Sequence, residues 1–327
     1  MRIERALDLL SKEDIDSAII LKPENIYYLS GFYPTTASAL ILKPDPLLLI
    51  SKMDAKAIEN CPVETKIYEK FQEEFKNLKG KIGVEKKYTT MHFHEEYLKG
   101  RECKNVDFIE RMRQVKDGKE VLKIQRAIKI AERAIKEVSN ELCDKSEIEI
   151  AQKAEAVIRS EAKIAFDTIV ASGRNSSVPH HESSKKKIRP KDSVIIDIGA
   201  NWRHYNSDIT RTFCQSPSEE YLDRYDIVKE AQKEGIKEMK VGGKISNVDN
   251  AVRRVISEYG LEEHFIHSSG HGIGLEVHEA PRIVKDCDDT FKEGMVVTIE
   301  PGVYKGFGIR IEDMVLIKKS PKILTKI

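Results

Sequence analysis

The stretch VIIDIGANWRHYNSDITRTF, residues 194–213, contains two β-rich runs with one aspartate in each. VIIDIG (194–199) and SDITRTF (207–213) read as strands, with a loop-like polar segment between them. A hairpin turning about Trp202 and Arg203 would set Asp197 directly opposite Asp208. Opposed positions bring Cβ atoms to about 5 Å, where like charges repel. Asp197 also interrupts an apolar strand, which predicts burial. Two buried carboxylates at that separation need a cation or a shared proton.

The same pattern recurs near the other end of the chain. MVVTIEPG (295–302) and GIRIEDMVLI (308–317) are strand-like runs around KGFG, and a turn centred on Gly306 would place Glu300 opposite Glu312. The best imidazole candidate is His271, in SSGHGIGLEVHE, where Gly270, Gly272 and Gly274 permit close backbone approach. His278 follows in the same segment, and Pro179-His180-His181 precedes the first hairpin. Arg310 shares a strand face with Glu312 and could fix the orientation of a carboxylate. Four carboxylates and an imidazole form a hard, oxygen-rich donor set, better suited to a pair of divalent ions than to one structural zinc.

Taken singly, each residue has a plainer reading. Asp197 would be a turn or capping acid, the glycines a tight turn, the histidines satisfied structural groups, and Arg310 a surface ion pair. Two opposed acid pairs on apolar strands make the joint reading a metal site. The glycines are not a dinucleotide fingerprint, because GxGxxG and its strand-turn-helix setting are missing.

The chain has 327 residues, enough for two domains. A net charge of +1, from 55 basic and 54 acidic residues, gives no reason to expect nucleic acid or an anionic membrane as partner. The five cysteines are scattered without CxxC spacing, which reads as reduced and cytoplasmic. The charged N-terminus has no signal-peptide pattern, and no apolar run approaches the ~20 residues that span a bilayer.

Residues 1–112 alternate helix and strand patterns, as in a small α/β domain. Helices are expected over 2–10, 24–31, 69–79 and 89–99, and strands over 17–21, 39–43, 46–51, 81–85 and 105–109, with a hairpin at Pro44-Asp45. Two long amphipathic helices follow over 117–139 and 146–161, the second opened by a Ser146/Glu149 capping box. Strand patterns dominate from 168, interrupted by helices near 218–240 and 246–259.

As a set, SVPHH (177–181), VIIDIGANWRHYNSDITRTF, HSSGHGIGLEVHEAPR (267–282), VVTIEPGVY (296–304) and IRIED (309–313) resemble the pita-bread metallopeptidases, the family of prolidase, aminopeptidase P and methionine aminopeptidase. The resemblance implies an α+β fold, with a pita-bread catalytic domain over 113–327 preceded by a smaller creatinase-like α/β domain over 1–112. Position by position, it implies that Asp197, Asp208, His271, Glu300 and Glu312 ligate two divalent ions, Mn²⁺ or Co²⁺. It gives Glu300 the proton of the attacking water, and places His180 on the substrate near the scissile bond. It has His278 steady the tetrahedral intermediate and Arg282 hold the substrate carboxylate. The implied reaction is hydrolysis of Xaa-Pro bonds, favouring dipeptides, by a homodimer. Aminopeptidase P action on longer peptides, and a catalytically silent pita-bread protein that binds peptides or proteins, stay open as alternatives.

Overall fold

The computed structural model describes residues 2–58 and 60–327. The chain divides into two compact units, Met1–Arg113 and Gln114–Ile327. No helix among the described residues is long and apolar enough to cross a membrane.

The first unit contains α1 (Arg2–Lys12), β1 (Ser17–Ile20), α2 (Pro23–Ser30), β2 (Ala39–Leu42), β3 (Leu47–Ile50), β4 (Glu64–Ile67), β5 (Ile82–Val84), α3 (Met91–Tyr97), β6 (Cys103–Asn105) and α4 (Phe108–Arg113). Its strands form one mixed sheet in the order β4-β3-β2-β1-β5-β6. β1 and β2 are buried along their whole length, which is why they read as continuous apolar runs and not as alternating ones. The hairpin at Pro44-Asp45 pairs Leu40 with Leu48. Gly31 ends α2 in the left-handed region, φ 77°, with its N–H donating to Tyr27 O.

Two sequence expectations fail in this unit. Residues 69–79 form only a 3₁₀ turn, Phe71–Phe75, whose two rings meet edge to face at 5.0 Å. Aromatic packing, not helix propensity, sets the backbone there. The strand expected over 105–109 ends at Asn105, because Phe108, Ile109 and Met112 are buried at helical spacing in α4.

The second unit opens with α5 (Gly118–Ser139) and α6 (Glu147–Arg159). Both start from capping boxes, Asp117 with Glu120 and Ser146 with Glu149. Then come β7 (Lys163–Ile164), β8 (Ile169–Ser172), β9 (Val194–Ile198), β10 (Ala200–Trp202), β11 (Tyr205–Asn206), β12 (Ile209–Phe213), α7 (Glu219–Glu238) and α8 (Ser246–Glu258). The chain closes with β13 (Gly270–Gly272), β14 (Glu279–Ile283), β15 (Val296–Ile299), β16 (Gly302–Lys305), β17 (Phe307–Arg310), β18 (Asp313–Leu316) and β19 (Lys322–Ile323). Val228 and Ala231 of α7 and Val248, Val252 and Val255 of α8 share a core with Val297, Ile299 and Val315 of the five-stranded sheet β14-β13-β15-β18-β19.

The first hairpin corrects the expected register. β9 pairs Asp197 with Thr210, not with Asp208. The turn is the two-residue Arg203-His204, both at positive φ (51° and 71°), as a tight primed turn requires. That moves the partner of Asp197 by two residues and leaves Asp208 just before β12. A shift of two keeps every side chain on its original face, whereas a shift of one would have reversed it. The second hairpin turns at Gly306, φ 76°, and pairs Gly302 with Arg310 and Ile299 with Asp313. Glu300 and Glu312 face each other where that pairing opens. There Glu300 N–H donates to Ser269 O at 2.9 Å and Glu312 N–H to Thr210 O at 3.0 Å. This exchange of partners joins β12, the approach to β13, and the second hairpin.

Candidate metal centre

Asp197, Asp208, His271, Glu300 and Glu312 converge at that junction. One ligating atom from each of Asp197, Asp208 and Glu312 lies within 4.8 Å of the others, and the same holds for His271, Glu300 and Glu312. Glu312 belongs to both groups. A third group, Asp208, His271 and His278, overlaps them.

Each ligand candidate is oriented by its neighbours. Arg310 donates through Nη2 to Asp197 Oδ2 at 2.6 Å and through Nε to Thr210 Oγ1 at 3.1 Å. It therefore fixes a carboxylate, but that of Asp197 and not the nearby Glu312. Thr210 Oγ1 donates to Glu312 Oε2 at 2.9 Å. His271 Nδ1 lies 3.0 Å from Gly272 O, and a carbonyl only accepts, so Nδ1 carries the proton. Nε2 then presents its lone pair towards Asp208 Oδ2 at 3.7 Å and Glu300 Oε1 at 3.6 Å. The strand needs Gly272, since a Cβ there would meet Ala280 O at 2.3 Å.

The electrostatics are those of a site built around positive charge. Burial, and then the charge of Asp197, push the Glu312 carboxyl up to about 8. Burial and Glu312 raise Glu300 well above the ordinary range, and Asp208 is raised by burial, Glu312 and Asp197. Burial, and then His278, hold His271 down at about 4, so its imidazole is neutral at pH 7. Arg310 is a cation buried among these groups; burial disfavours its charge, but Tyr304, Asp197 and Glu300 outweigh that cost. Asp197 Oδ1 is buried and has no hydrogen-bond partner among the described residues. Crowded carboxylates, a neutral imidazole and an orphaned oxygen fit divalent cations.

The remaining predicted residues line the exposed side. His278 is exposed, and its ring lies 4.4 Å from that of His271. Burial of part of its surface lowers its pKa, with smaller effects from the nearby charges of Asp197, His180 and Arg282. His180 is exposed beside Pro179, whose carbonyl accepts from Arg310 Nη1 at 3.2 Å. His181, next along the chain, turns away and bonds Glu147 at 2.9 Å. Arg282 stands opposite His271 in the β13–β14 pairing.

Some site residues were not singled out from sequence. Tyr304 Oη accepts from Arg310 Nη1 at 3.1 Å and contacts His267 Nε2 at 2.8 Å. His267 in turn comes within 3.9 Å of Glu300. Strand alternation places Thr210 on the face of Asp208, so it was findable. Nothing local pairs Tyr304 with His267.

Residues 122–319 match the family model for metallopeptidase family M24, and residues 2–115 match the creatinase/prolidase N-terminal domain. The chain belongs to metallopeptidase family M24 and is therefore a hydrolase that uses divalent metal. Its fold is α+β, a pita-bread catalytic domain preceded by a creatinase-type domain. It is similar to the Xaa-Pro dipeptidase of Pyrococcus horikoshii, with 40% identity over 99% of this chain and 97% of that one. The crystal structure of the prolidase from Pyrococcus horikoshii superposes with a TM-score of 0.95 at 39% identity, covering 99% and 97% of the two chains. The X-Pro aminopeptidase from Thermotoga maritima superposes at 0.88 with 34% identity, covering 100% and 98%.

Proposed function

We propose that this chain hydrolyses Xaa-Pro dipeptides with two divalent cations held at the strand junction. Asp197, Asp208 and Glu312 would hold one, and His271, Glu300 and Glu312 the other. The observation behind this is the sharing of Glu312 by the two groups of converging ligand atoms. Such cations, Mn²⁺ or Co²⁺, supply a water acidic enough to attack near neutral pH and polarise the scissile carbonyl.

The protein's own groups do the rest. Glu300 takes the proton of the attacking water. His278, exposed beside His271, donates to the developing oxyanion. His180 contacts the substrate near the scissile bond, where the departing proline nitrogen must gain a proton. Arg282 receives the terminal carboxylate of a dipeptide as a two-pronged donor. The similarity to Xaa-Pro dipeptidases from Pyrococcus supports the substrate class.

A matched pair of substrates tests this reading. Metal-stripped protein given Mn²⁺ or Co²⁺ should cleave a Met-Pro dipeptide and spare a pentapeptide beginning Met-Pro. Preference for the pentapeptide would move the assignment to an aminopeptidase acting on longer chains. Cleavage of neither would leave a peptide-binding protein. A homodimer in a reducing cytoplasm completes the proposal, and the five unpaired cysteines suit such a compartment. A monomer mass by light scattering would refute the dimer.

A further inference from the structure

Glu147, the first residue of α6, is fully buried, and its carboxylate gathers the loop that bears His180. Oε1 accepts from the N–H and the hydroxyl of Ser172, both at 2.7 Å, and from Asn175 Nδ2 at 3.0 Å. Oε2 accepts from Ser184 N–H at 3.1 Å and Ser184 Oγ at 2.6 Å, and lies 2.9 Å from His181 Nε2. A carboxylate only accepts, so His181 turns a protonated Nε2 towards it. Burial alone would raise the pKa of Glu147, but the hydroxyls of Ser184 and Ser172 and the His181 ring outweigh it and hold it at about 2.

These bonds anchor the chain on one side of His180. On the other side, Pro179 O accepts from Arg310 Nη1, and the same guanidinium grips Asp197. His180 is held between two fixed neighbours, one of them tied through Arg310 to the metal-ligand candidate Asp197. Its own ring is exposed and makes no hydrogen bond among the described residues. Of the paired histidines, one is an anchor and the other is left free to meet a ligand.

We propose that Glu147, acting through His181, is a positioning residue that sets where the His180 ring meets the substrate. This rests on the reading of His180 as a substrate-contacting group. The proposal is tested with kcat and KM for Met-Pro on full-length, Mn²⁺-loaded protein. The variants are His181→Ala, Glu147→Gln, His180→Ala, and each of the first two combined with His180→Ala. His181→Ala and Glu147→Gln should each lower kcat/KM about tenfold, mainly through kcat, since a misplacement of about 1 Å can cost a hundredfold. Bound Mn²⁺ per chain should not change. Neither substitution should lower the residual rate further once His180 is alanine, because the pair then acts as one unit. If Glu147→Gln fails to fold, His181→Ala, which leaves the serine bonds in place, decides the matter. Multiplicative losses in the double variants, or wild-type kcat/KM in folded His181→Ala, would overturn the positioning role and leave His180 as it stands. Wild-type kcat/KM in His180→Ala would overturn the reading of His180 and the positioning role with it.

Discussion

Arg282 lies directly opposite His271 across the β13–β14 pairing, and its guanidinium makes no hydrogen bond or ion pair among the described residues. Opposed residues share a sheet face, so an uncommitted cation stands beside the imidazole that faces Asp208 and Glu300. Only a dipeptide places its terminal carboxylate one residue beyond the scissile bond, within reach of such a group. Arg282→Ala should raise KM for Met-Pro at least about tenfold, the loss of one charge-assisted hydrogen bond or more. A pentapeptide beginning Met-Pro should lose much less. Equal losses on both substrates would remove Arg282 as the carboxylate receptor.

Arg310 bridges Asp197, Thr210, Tyr304 and Pro179 from a buried position. Its removal would free the Asp197 carboxylate and leave buried acceptors unpaired. Arg310→Met should weaken Mn²⁺ binding roughly 10- to 100-fold, the usual cost of losing a group that orients a ligand. Calorimetric titration measures this, and unchanged affinity would show that Asp197 is held by something else.

The buried carboxyls make metal-free protein sensitive to alkali. Glu312 ionises near 4.5 in an unfolded chain but keeps its proton to about 8 when folded, and Glu300 and Asp208 shift the same way. His271 and His267, held at about 4 instead of 6.5, act in the opposite sense, but only below about 6.5. Between pH 6.5 and 8 the folded state therefore binds more protons than the unfolded state, and stability falls as pH rises. Melting of metal-free protein should drop by a few degrees across that window. Saturating Mn²⁺ should abolish the drop, because the cation replaces the protons. A metal-free Tm that rises from pH 6.5 to 8 would contradict the burial of these acids.

Gly272 packs so closely that a Cβ would stand 2.3 Å from Ala280 O. Gly272→Ala should push β13 away from β14 and carry His271 with it. Stability should fall by about 1–3 kcal/mol, as overpacked sites do, and Mn²⁺ affinity should fall with it. Full activity and an unchanged Tm would mean the strands can part without moving the imidazole.

Much of this was legible because the signals are local. The capping box at Ser146 marks a helix start, and Gly306 marks the second hairpin well enough to oppose Glu300 and Glu312. The register of the first hairpin is not legible, because Arg203 and His204 take the left-handed turn positions usually filled by Asn or Gly. Asp208 keeps its expected face because the register differs by two residues, an even number. The contacts of Tyr304 with His267 and of Glu147 with His181 join residues more than 30 positions apart, and no periodicity reports them. Phe108 and Ile109 read equally well as strand or helix, and tertiary packing decided between them.

In the proposed mechanism Glu312 joins two cation sites, and turnover needs both. The most direct test is a titration of metal-stripped protein with Mn²⁺, following bound metal and Met-Pro hydrolysis together. Activity should reach its plateau only as the second equivalent per chain binds, and Glu312→Ala should bind less than one equivalent and be inactive. Full activity at one equivalent, or hydrolysis by Glu312→Ala above about a tenth of the wild-type rate, a loss of only about 1.4 kcal/mol in barrier terms, would contradict it.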